Sequence, residues 1–213
     1  MGNDTFDVLV LIGRPASGKS EIIDFLKHTA PDVHRSRYHI AELEVMDDFP
    51  TLWTWFEEDR ILSQRLGQPH LYTDEDGYFK QASCWHLLIE RLSLDYQKRR
   101  RDDPAYHDHT TALVEFSRGS EHGGVRKNRR RFNPQRPNSI LEHGLSDEKM
   151  ERLYRADDWG SLAQGESGFV TVRSAHVPYV VFENEDDVTT DKPDLLAARL
   201  EIILDKLWKL RQR

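Results

Sequence analysis

The chain has one cysteine and few apolar residues for its length. Cys84 is the only cysteine among 213 residues, which excludes an intrachain disulfide and a cysteine cluster that holds zinc. Hydrophobic residues make up 38% of the chain and charged residues 31%, so the composition is that of a polar globular protein. No apolar run approaches the length of a membrane span. The amino-terminal residues lack both a basic segment and the apolar core of a secretory signal. We therefore expect a cytoplasmic location and no membrane partner.

An excess of positive charge is also missing. Thirty basic residues face 37 acidic ones, for a formal net charge of −7. This balance argues against a general nucleic-acid binder, which is usually basic overall. The length predicts a single domain over residues 1–213 that can bury a sizeable core.

The most informative stretch is a glycine-containing loop near the amino terminus. Residues 13–20 read Gly-Arg-Pro-Ala-Ser-Gly-Lys-Ser and fit the phosphate-loop (Walker A) pattern G-x-x-x-x-G-K-[ST] at every fixed position. The pattern needs a strand before it and a helix after it. The β-branched run 6–12 predicts a strand buried on both faces, and Ile22, Ile23 and Leu26 predict the apolar stripe of a helix.

The loop predicts a site for the phosphates of a nucleoside triphosphate. Gly13 and Gly18 permit backbone conformations and close approaches that a Cβ would block. Consecutive N–H groups and the helix amino terminus then favour a polyphosphate. Lys19 is expected to reach the β- and γ-phosphates, and the Ser20 hydroxyl to bind Mg²⁺. The predicted cofactor-binding residues of the loop are Gly13, Arg14, Pro15, Ala16, Ser17, Gly18, Lys19 and Ser20.

The rest of the chain alternates between predicted strands and helices, which indicates an α/β fold. Further strands are predicted at 38–45, 109–117, 169–173 and 177–182. Helices are predicted at 52–66, 82–101 and from Pro193 to the end, the last with Asp191 as a plausible N-cap. The tract 67–78 is predicted to be a loop.

Acidic residues follow two of these strands. Glu115 ends an apolar run, and a parallel sheet would bring it beside the loop as a second Mg²⁺ ligand; the alternative is an ordinary strand-end glutamate. Asp47 and Asp48 follow the second strand. One of them could accept a proton from an attacking hydroxyl, and we favour Asp47; the competing interpretation is a helix N-cap.

A basic run lies between Val125 and Asn138. Arg126, Arg130 and their neighbours could close over the triphosphate and stabilise charge during transfer. The alternatives are a nucleic-acid patch and a solvated helix face. His107 and His109 are too few to form a metal site. The aromatic residues Trp53, Trp55 and Phe56 are better explained as core than as a base-stacking platform.

These motifs together resemble the nucleoside- and nucleotide-kinase-like group of the P-loop nucleoside triphosphate hydrolase superfamily. The resemblance implies a three-layer P-loop fold: a mostly parallel central sheet flanked by helices, with an arginine-rich lid. It also implies that 47–106 is a helical substrate region and that 125–160 is the lid. Glu115 and Arg118 are similar to the acid-x-x-Arg that closes a central strand in that group. Residues 177–184 look like its last core strand, which would place Asn184 close to the base.

One departure from that pattern is clear. Such kinases place a helix and another parallel strand between the acidic strand and the lid. Here only residues 119–125 separate them, which is too short for a crossover to a parallel strand. Either a core strand is missing or a segment has been deleted.

The predicted function is an ATP- and Mg²⁺-dependent phosphotransferase that acts on a small molecule, with a nucleoside or nucleotide as one candidate acceptor. A nucleotide-dependent ATPase or switch protein is the first alternative. A scaffold that binds nucleotide without catalysis is the second.

Overall fold

The computed structural model describes residues 4–13, 17–74, 78–116, 160, 162–183, 189 and 192–213. Within these ranges the chain forms five strands and six helices. In order they are β1 (Val8–Ile12), α1 (Lys19–His28), α2 (Pro31–Tyr38), β2 (Glu42–Asp47), α3 (Phe49–Leu66), α4 (Ser83–Asp102), α5 (Tyr106–His109), β3 (Thr110–Phe116), β4 (Ser167–Val172), β5 (Ala175–Val180) and α6 (Pro193–Arg211). The fold is mixed α/β, as predicted. None of these helices combines the length and apolar character that crossing a membrane requires.

The chain divides into two compact units. Met1–Val45 and Thr110–Arg213 form the first unit, and Met46–His109 form the second. The limits of the second unit lie close to the range 47–106, for which the sequence predicts a helical substrate region. Its role in binding a substrate stays a prediction.

The first unit is built on a small sheet with the strand order β1-β3-β2. β1 and β3 run parallel, with Leu9 opposite Leu113 and Leu11 opposite Glu115. Because side chains alternate along a strand, Leu9, Leu11, Leu113 and Glu115 belong to the same face. The helices α1, α2 and α6 pack on this face through Leu26, Tyr38 and Leu200, among others. The face that buries the core is therefore also the face that carries Glu115.

The predicted burial of β1 on both faces is wrong. Leu9 is buried, but Val8, Val10 and Ile12 are exposed, Val10 to 53%. Val8, Val10 and Ile12 alternate with Leu9 along the strand, so they lie on the face opposite the one that packs against α1, α2 and α6. A continuous apolar run does not show whether one face of a strand or both faces are covered.

The second strand begins later than predicted. Residues 38–41 lie outside it: Tyr38 ends α2, and β2 runs over Glu42–Asp47. Pro31 stands in the first turn of α2, where its missing N–H costs nothing, so it begins a helix here.

The last predicted core strand lies in a different sheet. β4 and β5 form an antiparallel pair of their own, with Val170 opposite Val177. The turn between them is tight, and Arg173 takes a left-handed conformation with φ 56°. The expectation that 177–184 forms the last strand of the central sheet is thus wrong for the described residues. A short connection favours a hairpin, since a parallel neighbour needs a long crossover.

The second unit centres on a buried carboxylate. Asp59, on α3, is 1% exposed and accepts hydrogen bonds from the segment 71–73. The Leu71 N–H donates at 2.6 Å, and the Thr73 N–H and hydroxyl each donate at 2.7 Å. The Tyr72 N–H adds a longer contact of 3.2 Å. The carboxylate thereby ties the loop after α3 back onto that helix.

These contacts decide the protonation of Asp59. Burial alone raises its pKa, but the hydrogen bonds from Thr73, Leu71 and Tyr72 outweigh burial, so the pKa lies below the usual range of an aspartate. In the unfolded chain the pKa is about 3.9. The stabilisation by Asp59 is therefore present above about pH 4 and is lost as the pH falls through the lower folded pKa.

We expect Asp59→Asn to destabilise the protein by about 2 kcal/mol at pH 7, because an amide group would face backbone donors. The exposed carboxylate Asp102 provides a matched control on α4. Asp102→Asn should change the free energy of unfolding by less than about 0.5 kcal/mol. Urea unfolding from pH 7 to pH 3 measures both variants. The gap between wild type and Asp59→Asn should narrow toward pH 3; a constant gap would contradict the role of the charge.

Candidate functional site: a loop at the carboxyl edge of β1 and β3

The parallel strands β1 and β3 end side by side, and the phosphate-loop motif begins there. Ile12 is opposite Phe116, and the Gly13 N–H donates to the Phe116 carbonyl at 3.1 Å. The ladder therefore continues one residue into the loop. Glu115 lies opposite Leu11, two residues before Gly13, so strand pairing brings this carboxylate close to the loop.

The two glycines that the motif requires, Gly13 and Gly18, each have a steric reason. Gly18 precedes α1 and adopts a left-handed conformation, with φ 95° and ψ 7°. At Gly13 a Cβ would lie 2.5 Å from the Ser17 Oγ and 3.3 Å from the Lys19 Cγ. Ser17 and the Lys19 stem thus pack against the Gly13 backbone, and a Cβ at Gly13 would require both side chains to shift.

Lys19 is a buried cation that lies against the Gly13 backbone. It is 5% exposed, and its Nζ donates to the Gly13 carbonyl at 2.7 Å. The same Nζ lies 3.7 Å from the Glu115 Oε1. A buried ammonium is costly without compensation, and these two oxygens provide it. The sequence predicts Lys19 in the loop and Glu115 at the end of a separate strand. The fold brings the two side chains together.

The amino terminus of α1 completes the candidate site. The helix begins at Lys19, so Ser20 is its second residue and lies half-buried in the first turn. The first N–H groups of a helix have no partner within the helix, and the helix dipole favours an anion at that end. A basic side chain and a helix amino terminus therefore meet at one loop, an arrangement suited to phosphate.

The oxygen donors present fit Mg²⁺ better than a softer metal. The candidate ligands are the Ser20 hydroxyl and the Glu115 carboxylate, and Mg²⁺ prefers oxygen. Among the described residues, no group of three or more His, Cys, Asp or Glu side chains could hold a metal. In general, Mg²⁺ keeps several waters and is bound by one or two protein groups together with substrate phosphates.

Asp47 and Asp48 lie at the end of one element and the start of the next. Asp47 is the last residue of β2 and is half-buried. Asp48 occupies the N-cap position of α3, although its side chain makes no capping hydrogen bond. The helix start therefore accounts for the position of Asp48. The role of Asp47 as a base stays a prediction.

Several predicted site residues lie outside the described residues. They are Arg14, Pro15, Ala16, Arg118, Arg126, Arg130 and Asn184, and the connection 119–125 and the predicted N-cap Asp191 lie outside as well. Their predicted roles stand as predictions.

The histidines and aromatic residues that the sequence discounted have structural partners. The Tyr96 hydroxyl is 2.7 Å from the His107 Nε2, and the His109 Nε2 lies 3.2 Å from the Asp103 carboxylate. Trp55 is buried and stacks on Tyr72 at 4.8 Å between ring centroids. Trp55 therefore agrees with the predicted core role, whereas Trp53 is 41% exposed and does not.

The sequence did not predict two contacts that Lys19 makes in the site. It did not anticipate the Gly13 carbonyl as a partner of Lys19, nor the direct contact between Lys19 and Glu115. The six-residue separation of Gly13 and Lys19 in a tight loop is a weak signal for the first contact. The second depends on the pairing register of β1 with β3, which no local pattern carries.

Comparison with known proteins returned no match: no family model, curated protein or solved structure is similar to this chain. The motif and the geometry of the loop are therefore the basis for assigning a function.

We expect Gly18→Ala to disturb both stability and phosphate binding. A methyl group at φ 95° strains the backbone by about 1–2 kcal/mol and would distort the turn that starts α1. Gly67 is a matched control because it also has a positive φ, 62°, and ends α3 with open space around it. Thermal unfolding should report a loss for both variants, whereas calorimetric titration with ATP should report weaker binding for Gly18→Ala only. Equal ATP affinity in the two variants would show that Gly18 has no role in the binding site.

Proposed function

We propose that this protein is an ATP- and Mg²⁺-dependent phosphotransferase of the P-loop kinase type, which acts on a small-molecule acceptor. The observation that carries the proposal is the position of Lys19. A buried ammonium at the start of a helix sits in a glycine loop, at the carboxyl edge of two parallel strands, 3.7 Å from a carboxylate. Ligands of open α/β sheets bind outside the carboxyl ends of the strands.

The charges of the loop support binding of a polyphosphate. Lys19 supplies a point charge, and the amino terminus of α1 supplies N–H donors and the positive end of its dipole. The left-handed Gly18 lets the backbone turn sharply into the helix. A nucleoside triphosphate presents the matching chain of anionic oxygens.

The oxygen donors next to Lys19 support a role for Mg²⁺. Ser20 and Glu115 are the residues that would hold it. When bound, Mg²⁺ neutralises charge on the phosphate oxygens. The chain's own contribution is to hold the triphosphate at a fixed place and to keep the Lys19 charge buried, where electrostatic interactions are strongest.

Transfer to an acceptor requires a base and a group that stabilises the moving charge. Asp47 is the proposed base, which accepts the proton of the attacking hydroxyl. Arg126 and Arg130 are the proposed lid arginines, which meet the developing charge on the phosphoryl group. The acceptor is a small molecule, with a nucleoside or nucleotide as one candidate. Water as the acceptor would make the protein an ATPase.

We expect Lys19→Met to abolish measurable binding of ATP·Mg²⁺, because it keeps the packed stem of the side chain and removes its charge. Lys27→Met makes the same chemical change at an exposed position of α1 and should leave the affinity within about twofold of wild type. Isothermal titration calorimetry measures both, with circular dichroism as the check on folding. Wild-type affinity in a folded Lys19→Met protein would refute the proposed site.

We expect Asp47→Asn to lower kcat for acceptor-dependent ADP formation by about 100-fold or more, with ATP affinity unchanged, because it removes the general base. Its neighbour Asp48 provides the matched control, since Asp48→Asn makes the same change at the first cap position of α3. Coupled ADP release with a panel of nucleosides and nucleotides, each compared with water alone, is the measurement. Equal kcat in the two variants would exclude Asp47 as the base. Turnover that no acceptor increases would favour the ATPase alternative.

A further inference from the structure

The contact between Lys19 and Glu115 joins two groups that the proposed function assigns to different ligands. Lys19 is assigned to the phosphates and Glu115 to the metal. In this structure the two side chains are only 6% and 13% exposed, and their charged atoms lie 3.7 Å apart. We propose that Glu115 is a positioning residue that holds Lys19 back when the site is empty, so that nucleotide and Mg²⁺ bind cooperatively. The inference rests on the proposed function.

The geometry explains why the contact can form. Glu115 shares a sheet face with Leu11 and Leu113, and α1 packs on that face through Leu26. Lys19 begins the same helix, so its side chain meets the carboxylate across the layer boundary. The Gly13 carbonyl, at 2.7 Å from the Nζ, fixes the other side of the ammonium. The cation is thus satisfied by the protein itself.

The energetic consequence is a competition for Lys19. A phosphate oxygen can replace the Glu115 carboxylate as a partner of the ammonium. Glu115 would then lie uncompensated beside a polyphosphate, and two buried negative groups at short range repel strongly. With a divalent cation present, Glu115 has a second partner and the repulsion falls. Each ligand therefore lowers the cost of binding the other, and the coupling must be equal in both directions.

A simpler role for Glu115 makes different predictions. If it were only a metal ligand, Glu115→Gln would weaken binding with Mg²⁺ and leave binding without Mg²⁺ unchanged. If it acted only by repelling phosphate, binding without Mg²⁺ would improve, yet the environment of Lys19 in the empty protein would not change. The proposed role requires both an improved affinity and a released Lys19.

The first measurement follows Lys19 in the nucleotide-free protein. An amine-acylating reagent is added, and mass spectrometry gives the rate of modification at Lys19 relative to exposed Lys27 on the same helix. We expect Glu115→Gln to raise this relative rate by about tenfold. Glu115→Asp retains the charge but shortens the reach to an ammonium already 3.7 Å away, so it should also raise the rate. Glu42→Gln, an exposed acid that begins β2, is the control and should leave the rate unchanged.

The second measurement is the dissociation constant of ADP, with Mg²⁺ and with a chelator, for the same four proteins. We expect Glu115→Gln to lower the dissociation constant of ADP in the presence of the chelator by about tenfold. The gain in ADP affinity that Mg²⁺ produces should fall by the same factor. Circular dichroism and thermal unfolding verify that each variant is folded. Glu115→Asp keeps the test valid if Glu115→Gln does not fold.

The outcomes separate this inference from the proposed function. Faster Lys19 modification together with tighter chelator-condition binding supports the inference. Tighter ADP binding without faster Lys19 modification would mean that Glu115 only repels phosphate, and this would overturn the inference. An unchanged modification rate overturns the inference whatever the affinity. Absence of ADP binding in every protein, wild type included, overturns the proposed function, whereas the modification rates still decide whether Glu115 holds Lys19.

Discussion

The buried ammonium of Lys19 is the constraint on which the candidate site depends. It needs an acceptor at close range, a compensating charge and a space that no side chain fills. The Gly13 carbonyl, the Glu115 carboxylate and the absence of a Cβ at Gly13 meet these three needs. Two of them come from Gly13, the residue after β1, and the third comes from Glu115, near the end of β3. The site therefore exists only when both strands and α1 are in place.

Two buried charges among the described residues, Asp59 and Lys19, are satisfied in different ways. Asp59 accepts hydrogen bonds from three consecutive residues of one loop, so its partners are fixed parts of the backbone and of Thr73. Lys19 contacts Glu115 at 3.7 Å, which is longer than a hydrogen bond, so that contact is chiefly electrostatic. A carboxylate enclosed by backbone donors stabilises a loop. An ammonium held by the charge of another side chain can change partners, which suits a group that must bind a ligand.

The loop also shows how backbone conformation and chemistry are linked. Gly18 adopts the left-handed conformation of the turn that places Lys19 at the start of α1. Gly13 allows Ser17 and the Lys19 stem to pack against its backbone. Neither residue provides a functional group. Their contribution is to bring the amino terminus of a helix and a cation to one point, where a phosphate chain would meet both.

Much of the local structure follows from the sequence alone. The helices predicted at 52–66, at 82–101 and from Pro193 to the end agree with α3, α4 and α6, because a stripe of apolar residues has the period of a helix wherever it packs. The roles of Gly13, Gly18 and Lys19 likewise follow from the local steric and charge requirements of the loop motif. Neighbours are a different matter. That β3 lies beside β1, that Glu115 is opposite Leu11, and that β5 pairs with β4 outside the central sheet depend on pairing between distant segments. Alternation and hydrophobicity specify which face of a strand is apolar, but they do not specify which strand lies next to it. The tertiary structure alone decided the Lys19–Glu115 contact, because it is made across that pairing.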